Sequence, residues 1–201
     1  MRLRNVKNAR NIVNEHTLVV KSNPYNDNKP LHIEIGTGKG DFIIGMAKMH
    51  PDINFIGIEK YESVLIRALE KCEQEQLTNL RFMCFDAGKI DDYFEKEVDK
   101  IYLNFSDPWP KKKHAKRRLT SPIFLGLYEK ISKNDINIEM KTDNKGLFAY
   151  SLEQFNNAGY YFHKVSLDLP EDYEGNVQTE YEKKFIKQRV TINYLNACKK
   201  K

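Results

Sequence analysis

Leu31-His32-Ile33-Glu34-Ile35-Gly36-Thr37-Gly38-Lys39-Gly40-Asp41 carries an apolar run, three alternating glycines and the start of a helical pattern in eleven residues. Residues 31–35 are an apolar run that ends at Gly36, and Phe42, Ile43, Met46 and Met49 then recur at helical spacing over residues 41–49. A strand therefore enters a glycine turn and leaves it as a helix. Glycines at 36, 38 and 40 allow a tight turn and a close backbone approach to a ligand at a helix N-terminus. The dinucleotide fingerprint would need a further glycine at position 41, where Asp41 stands and would oppose a pyrophosphate. The spacing favours a cofactor without phosphates.

The same alternation continues outward. Residues 53–58, 80–85, 101–105 and 136–140 read as buried strands. Residues 61–76, 124–131 and 146–155 read as helices, the first with an apolar face of Val64, Leu65, Ala68, Leu69 and Cys72. Residues 160–169 and 184–195 alternate as two antiparallel strands would. Repeated strand-then-helix units predict an α/β fold, a Rossmann-like parallel sheet with helices on both faces and a C-terminal antiparallel hairpin added to it. Residues 1–24 read as a basic N-terminal arm or loosely attached helix, and residues 25–201 as the main domain.

Acids stand at the strand ends. Glu59 ends the second strand about twenty residues beyond the glycine loop, where an acid in such folds accepts from ribose hydroxyls. Asp86 ends the third strand, placed to accept from an adenine amino group. A helix cap would explain any one of these acids alone. Together with the glycine loop they describe one nucleoside crevice.

The fourth strand ends in Asn104-Phe105-Ser106-Asp107-Pro108-Trp109-Pro110, followed by Lys111, Lys112, Lys113, His114, Lys116, Arg117 and Arg118. The prolines stiffen a turn that carries one carboxylate and the chain's single tryptophan. Six of the 33 basic residues lie in this run; the remaining 27 face 28 acidic ones, so the net charge of +5 is local. A local cationic patch steers and holds a phosphate chain. Trp109 either stacks on a base or wedges under its own loop. His114 reads as an RNA-facing donor.

Two hundred and one residues suit one domain with a real core. Cys72, Cys84 and Cys198 are odd in number and widely spaced, which excludes a disulfide framework and a structural zinc site and fits a reducing cytosol. Arg2, Arg4, Lys7 and Arg10 lead into no apolar stretch, so no secretory signal is expected, and no run approaches membrane-spanning length. No His, Cys and carboxylate cluster calls for a metal. A cytoplasmic protein, monomeric or homodimeric, is expected.

Five motifs together resemble one family: Glu-Ile-Gly-x-Gly-x-Gly, Ile-Gly-Ile-Glu, Asn-Phe-Ser-Asp-Pro-Trp-Pro-Lys-Lys-x-His, Lys141-Thr142-Asp143-Asn144 and Thr179-Glu180-Tyr181-Glu182. Taken in order from about residue 31 to about residue 192, they are similar to the bacterial tRNA (guanine-N7-)-methyltransferases. The glycine motif is shared by many S-adenosylmethionine enzymes, whereas the Ser-Asp-Pro-Trp-Pro-Lys-Lys segment with Lys-Thr-Asp-Asn and Thr-x-Tyr-Glu is particular to this family. The resemblance implies a seven-stranded S-adenosylmethionine-dependent methyltransferase sheet acting on guanine 46 in the variable loop of tRNA. It implies that Glu34, Gly36, Gly38, Gly40, Glu59, Asp86 and Asp107 bind the cofactor, and that Asp107 is catalytic. Lys111, Asp143, Thr179, Glu180, Tyr181 and Glu182 would bind substrate, and Lys112, Lys113, His114, Lys116, Arg117 and Arg118 would touch RNA. Lys113 stands where the family carries Arg, keeping the charge but losing the bidentate fork.

The residues suit that chemistry. Guanine N7 is a free lone pair, so the reaction needs in-line positioning more than a strong base. A carboxylate such as Asp107 offsets the positive charge that develops on the base. Asp107 and Asp143 are also the candidates for reading guanine's N1–H and amino group. An adenine amino-group methyltransferase is the rival enzyme, but Trp109 separates the two prolines that such enzymes typically hold together. A non-enzymatic RNA-binding relative would have lost the glycine loop or Glu59, and both are intact.

Overall fold

The computed structural model describes residues 6–201, so Arg2 and Arg4 lie outside the described residues. Among the described residues seven strands form one sheet in the order β3-β2-β1-β4-β5-β7-β6. They are β1 (Leu31–Ile35), β2 (Asn54–Glu59), β3 (Leu80–Cys84), β4 (Lys100–Asn104), β5 (Ile136–Thr142), β6 (Tyr161–Ser166) and β7 (Asn193–Lys199). The first five are mutually parallel, while β7 runs antiparallel between β5 and β6. Among the described residues six α-helices accompany them: α1 (Ala9–Glu15), α2 (Asp41–Met49), α3 (Glu62–Glu73), α4 (Pro122–Ile131), α5 (Lys145–Asn157) and α6 (Glu180–Lys187).

Side chains that alternate along the central strands feed two cores. Ile33, Ile56, Ile101 and Leu103 pack with α4 and α5, while Phe55, Phe82 and Tyr102 pack with α1, α2 and α3. All six β2 positions are buried, as a parallel strand covered on both faces requires. Chain order reverses between β1 and β4, which lie side by side with Glu34 opposite Tyr102. Ligands of open α/β sheets bind beyond the carboxyl ends at such a switch point. The glycine loop after β1 and the Asp107 turn after β4 flank it.

Most expected elements are present, with ends shifted by a few residues. Two expectations need correction. Residues 184–187 belong to α6 rather than to a strand, because Thr179 and Glu182 form a reciprocal capping box that starts a helix. The last two strands do pair antiparallel, but α6 lies in the connection between them. The N-terminal helix is not loose. Val13 of α1 is 1% exposed in the α2–α3 core, a burial that contributes about 1.5–3 kcal/mol. Leu18 to Val20 then pair with Phe82 beyond the edge of β3, through Phe82 N–H to Leu18 O and Val20 N–H to Phe82 O, both 2.9 Å. Among the described residues no helix is long and apolar enough to cross a membrane.

Gly40 fixes how α2 meets α3. Its φ is +81°, and a Cβ there would lie 2.8 Å from the Ala68 Cβ and 3.3 Å from the Ala68 Cα. Gly40→Ala is expected to destabilise the fold by roughly 2–4 kcal/mol, from overpacking plus left-handed strain. Thermal unfolding checks this, and an unchanged Tm would show that the two helices do not meet through this glycine.

Candidate active site

The glycine loop is clamped to its neighbouring strand. Gly36 N–H and Thr37 N–H both donate to Ile58 O, at 2.8 and 2.9 Å. Gly36 and Gly38 have φ of +81° and +60°, and a Cβ on either would meet no protein atom within 4 Å. Open space therefore lies over the loop, as a cofactor cradle requires. Glu59 closes one side: its carboxylate accepts from the N–H groups of Gly38 (3.1 Å), Lys60 (2.9 Å) and Tyr61 (3.0 Å). Carboxylate oxygens have further lone pairs, so hydroxyl donors remain acceptable there. Burial raises the Glu59 pKa against those three donors, and the nearby Asp107 charge adds to the rise.

Glu34 lies beneath the loop. It is 2% exposed and accepts from Thr37 Oγ1 at 2.6 Å and Asn104 Nδ2 at 2.9 Å, so it braces the glycine loop against the end of β4. Asp86 is exposed at the start of a 3-10 turn, Ala87–Asp92, accepting from Gly88 N–H at 2.9 Å and Lys60 Nζ at 3.0 Å. Those two donors hold its carboxyl below the usual range.

The turn after β4 is strained. Phe105 and Trp109, neither a glycine, have φ of +49° and +42°. Phe105 N–H donates to Lys141 O at 2.8 Å. Asp107 lies exposed between these two residues. A 3-10 turn over Lys112–Arg117 follows, presenting Lys111, Lys112, Lys113, Lys116 and Arg117 to solvent. Arg117 lies 4.8 Å over the Trp109 ring, and His114 is half-buried 5.8 Å from it. Trp109 is thus half-buried and covered by a cation. Arg118 departs from its neighbours by turning inward: Nε donates to Pro108 O and Nη2 to Trp109 O, both at 3.0 Å.

Residues 173–188 form the facing wall. Lys141 Nζ, in a side chain only 5% exposed, donates to Glu182 Oε2 (2.8 Å), Asn176 Oδ1 (2.8 Å) and Val177 O (3.0 Å). The Glu182 side chain is 2% exposed and also accepts from Asn176 Nδ2 at 2.7 Å. Thr179 and Glu182 are thereby committed to the wall's own architecture. Glu180 reaches Lys39 of the glycine loop at 2.7 Å. Exposed Tyr181 stacks with Phe105 and Phe185 at centroid distances of 6.1 and 6.4 Å. Asp143 is half-buried after β5. A cleft of about 430 Å³ opens beside Asp41, Glu180, Lys183, Lys184 and Lys187.

The structure thus brings Glu59, Asp107, Lys111, Asp143 and Tyr181 to one sheet edge, with Glu34 below. It adds Asn104, Lys141 and Asn176, which were not expected as site residues. A lysine closing an apolar strand was the available signal for Lys141.

Burial pushes the Glu34 carboxyl up to about 7 against the pull of Thr37, Asn104 and Lys141. The unfolded chain ionises first, so Glu34's contribution is intact below about pH 4.5 and is lost as pH rises through about 7. Wild-type protein should lose thermal stability across that window relative to Glu34→Gln. Parallel Tm–pH curves for the two proteins would contradict this.

Residues 28–195 match a family model described as a putative methyltransferase. A tRNA (guanine-N(7)-)-methyltransferase of Halalkalibacterium halodurans is 48% identical over 204 residues, covering 96% of this chain and 93% of that protein. One of Lachnoclostridium phytofermentans is 46% identical and covers both chains completely. The fold resembles that of an antibiotic-related methyltransferase (TM-score 0.67, 19% identity, 84% of this chain and 87% of the other). It also resembles a SAM-dependent methyltransferase from Aquifex aeolicus (TM-score 0.58, 16% identity, 95% of this chain and 89% of the other). With most of its length matched by the family model and by relatives sharing nearly half of its residues, the chain belongs to the tRNA (guanine-N7-)-methyltransferase family.

Proposed function

We propose that this protein transfers a methyl group from S-adenosylmethionine to N7 of guanine 46 in the variable loop of tRNA. One observation carries the reading. Asp107 is held in the strained turn at the switch point, close enough to Glu59 for its charge to act there, and the exposed cations from Lys111 to Arg117 follow it directly. Cofactor crevice and phosphate-binding face therefore meet at one carboxylate.

The open cradle fits S-adenosylmethionine. Glu59 would accept from the ribose hydroxyls, Asp86 from the adenine amino group, and the glycine-loop backbone would lie against the cofactor, with Glu34 bracing the loop from below. When bound, the cofactor supplies an electrophilic methyl group on a sulfonium sulfur. Lys111, Lys112, Lys113, Lys116 and Arg117 take tRNA phosphates, with His114 beside them. Asp107 aligns the guanine edge and offsets the charge developing on the base, and Asp143, Glu180 and Tyr181 lie where the base and its neighbours would enter. Thr179 and Glu182 serve substrate binding by fixing that wall. No general base is needed, because N7 carries no proton.

Asp107→Asn keeps the shape and removes the charge, so kcat should fall more than tRNA affinity does, and Asp107→Ala should be nearly inactive. Mass analysis of nucleosides from unmodified tRNA incubated with the cofactor should show N7-methylguanosine, confined to the variable loop. Methyladenosine as product, or near-normal turnover in Asp107→Ala, would overturn the reading.

A further inference from the structure

Among the clustered cations from Lys111 to Arg118, Arg118 alone is tied into the fold by several contacts at once. Its Nε and Nη2 reach the carbonyls of two successive residues, Pro108 and Trp109. Its guanidinium carbon lies 4.2 Å from the centre of the Tyr150 ring on α5. Its own carbonyl accepts from Ser121 N–H at 2.9 Å, next to the start of α4. The planar fork suits two carbonyls, and stacking suits a guanidinium in a way that an ammonium does not share.

The carbonyls it holds matter because of what precedes them. Trp109 carries a left-handed backbone, which is strained in a non-glycine residue and persists only when its surroundings enforce it. Upstream, Phe105 is equally left-handed and is fixed by its N–H bond to Lys141 O and by ring stacking on Phe185 at 5.8 Å. Asp107 thus sits between two anchored points, and the downstream one is Arg118.

We infer that Arg118, sandwiched against Tyr150, is a positioning residue that clamps the Pro108–Trp109 backbone and so sets the place of the Asp107 carboxylate, rather than one more phosphate contact. The inference rests on the methyl-transfer reading for its kinetic consequence, though not for its geometry.

Arg118→Lys keeps the charge and loses the fork, so it separates the two roles. A clamp predicts that Arg118→Lys and Tyr150→Leu each lower kcat by about 10²-fold, the loss expected for a misplacement near 1 Å. Both should leave tRNA affinity and its salt slope unchanged, and Tyr150→Phe should restore wild-type kcat. Replacing Lys112, Lys113, Lys116 and Arg117 with alanine instead should lower the slope of log affinity against log salt by roughly 0.7–0.9 per lost contact. Trp109 is the chain's only tryptophan, so its emission reports the turn without any substrate. It should shift in Arg118→Lys and Tyr150→Leu and not in Tyr150→Phe. If wild-type protein methylated no tRNA, the functional reading would fall while the emission still decided the clamp. Normal kcat in Arg118→Lys, a slope lowered in Arg118→Ala, or wild-type emission in both clamp variants would overturn it.

Discussion

A lysine and a glutamate buried against each other hold the two halves of the site together. Removing two charges from water costs several kcal/mol per ion, and mutual attraction offsets this only when the remaining polar groups are also satisfied. Here they are. Lys141 finds Glu182, Asn176 and the Val177 carbonyl, and Glu182 finds Asn176 and the Thr179 cap. The pair joins the end of a parallel strand to a helix that also reaches the site through Glu180 on Lys39 and through Tyr181 and Phe185 stacked on Phe105, and just before that helix Val177 meets Gly45. A Cβ on Gly45 would come within 2.5 Å of a Val177 methyl, so the contact leaves no slack. Lys141 also serves the other half, because its backbone carbonyl receives Phe105 N–H at the entrance to the Asp107 turn. One residue therefore registers the wall and the turn against each other.

From that node the division of labour follows. On the side of β1 and β2, backbone donors converge on Glu59 and a buried carboxylate braces the glycine loop, leaving a cradle with space above it. On the side of β4, two left-handed residues turn the chain sharply enough to expose Asp107 beside that cradle. The exposed cations begin only four residues later, at Lys111. Strain at Phe105 and Trp109 is tolerated because hydrogen bonds and ring contacts hold both ends.

Local pattern made much of this legible. The strand at 31–35 and the helix at 41–49 were readable to the residue, because an apolar run closes at Gly36 and helical spacing opens just after Gly40. Glu59 and Asp86 were readable as strand-end acids for the same reason. Residues 184–192 misled, since Phe185, Val190 and Ile192 can be threaded onto the strand that begins only at Asn193. The overlooked signal was Thr179-x-x-Glu182, a capping box written in the sequence. The Lys141–Glu182 pair spans 41 positions, and no window-based pattern sees it. Composition likewise cannot tell which cation of a basic run turns inward. What sets Arg118 apart from Arg117 is the Pro108 and Trp109 carbonyls and the Tyr150 ring that meet it in three dimensions, whereas Arg117 covers the Trp109 ring.

Hydrogen exchange on Glu182→Gln probes the Lys141–Glu182 tie itself, because that change leaves the shape and strands a buried ammonium. Breaking such a pair costs about 3–5 kcal/mol, and that loss is expected in the wall. Amides of residues 173–187 and Phe105 should exchange far faster than in wild-type protein, while those of β1 and β2 keep their protection. Wild-type protection across 173–187, or an equal loss throughout the sheet, would contradict it.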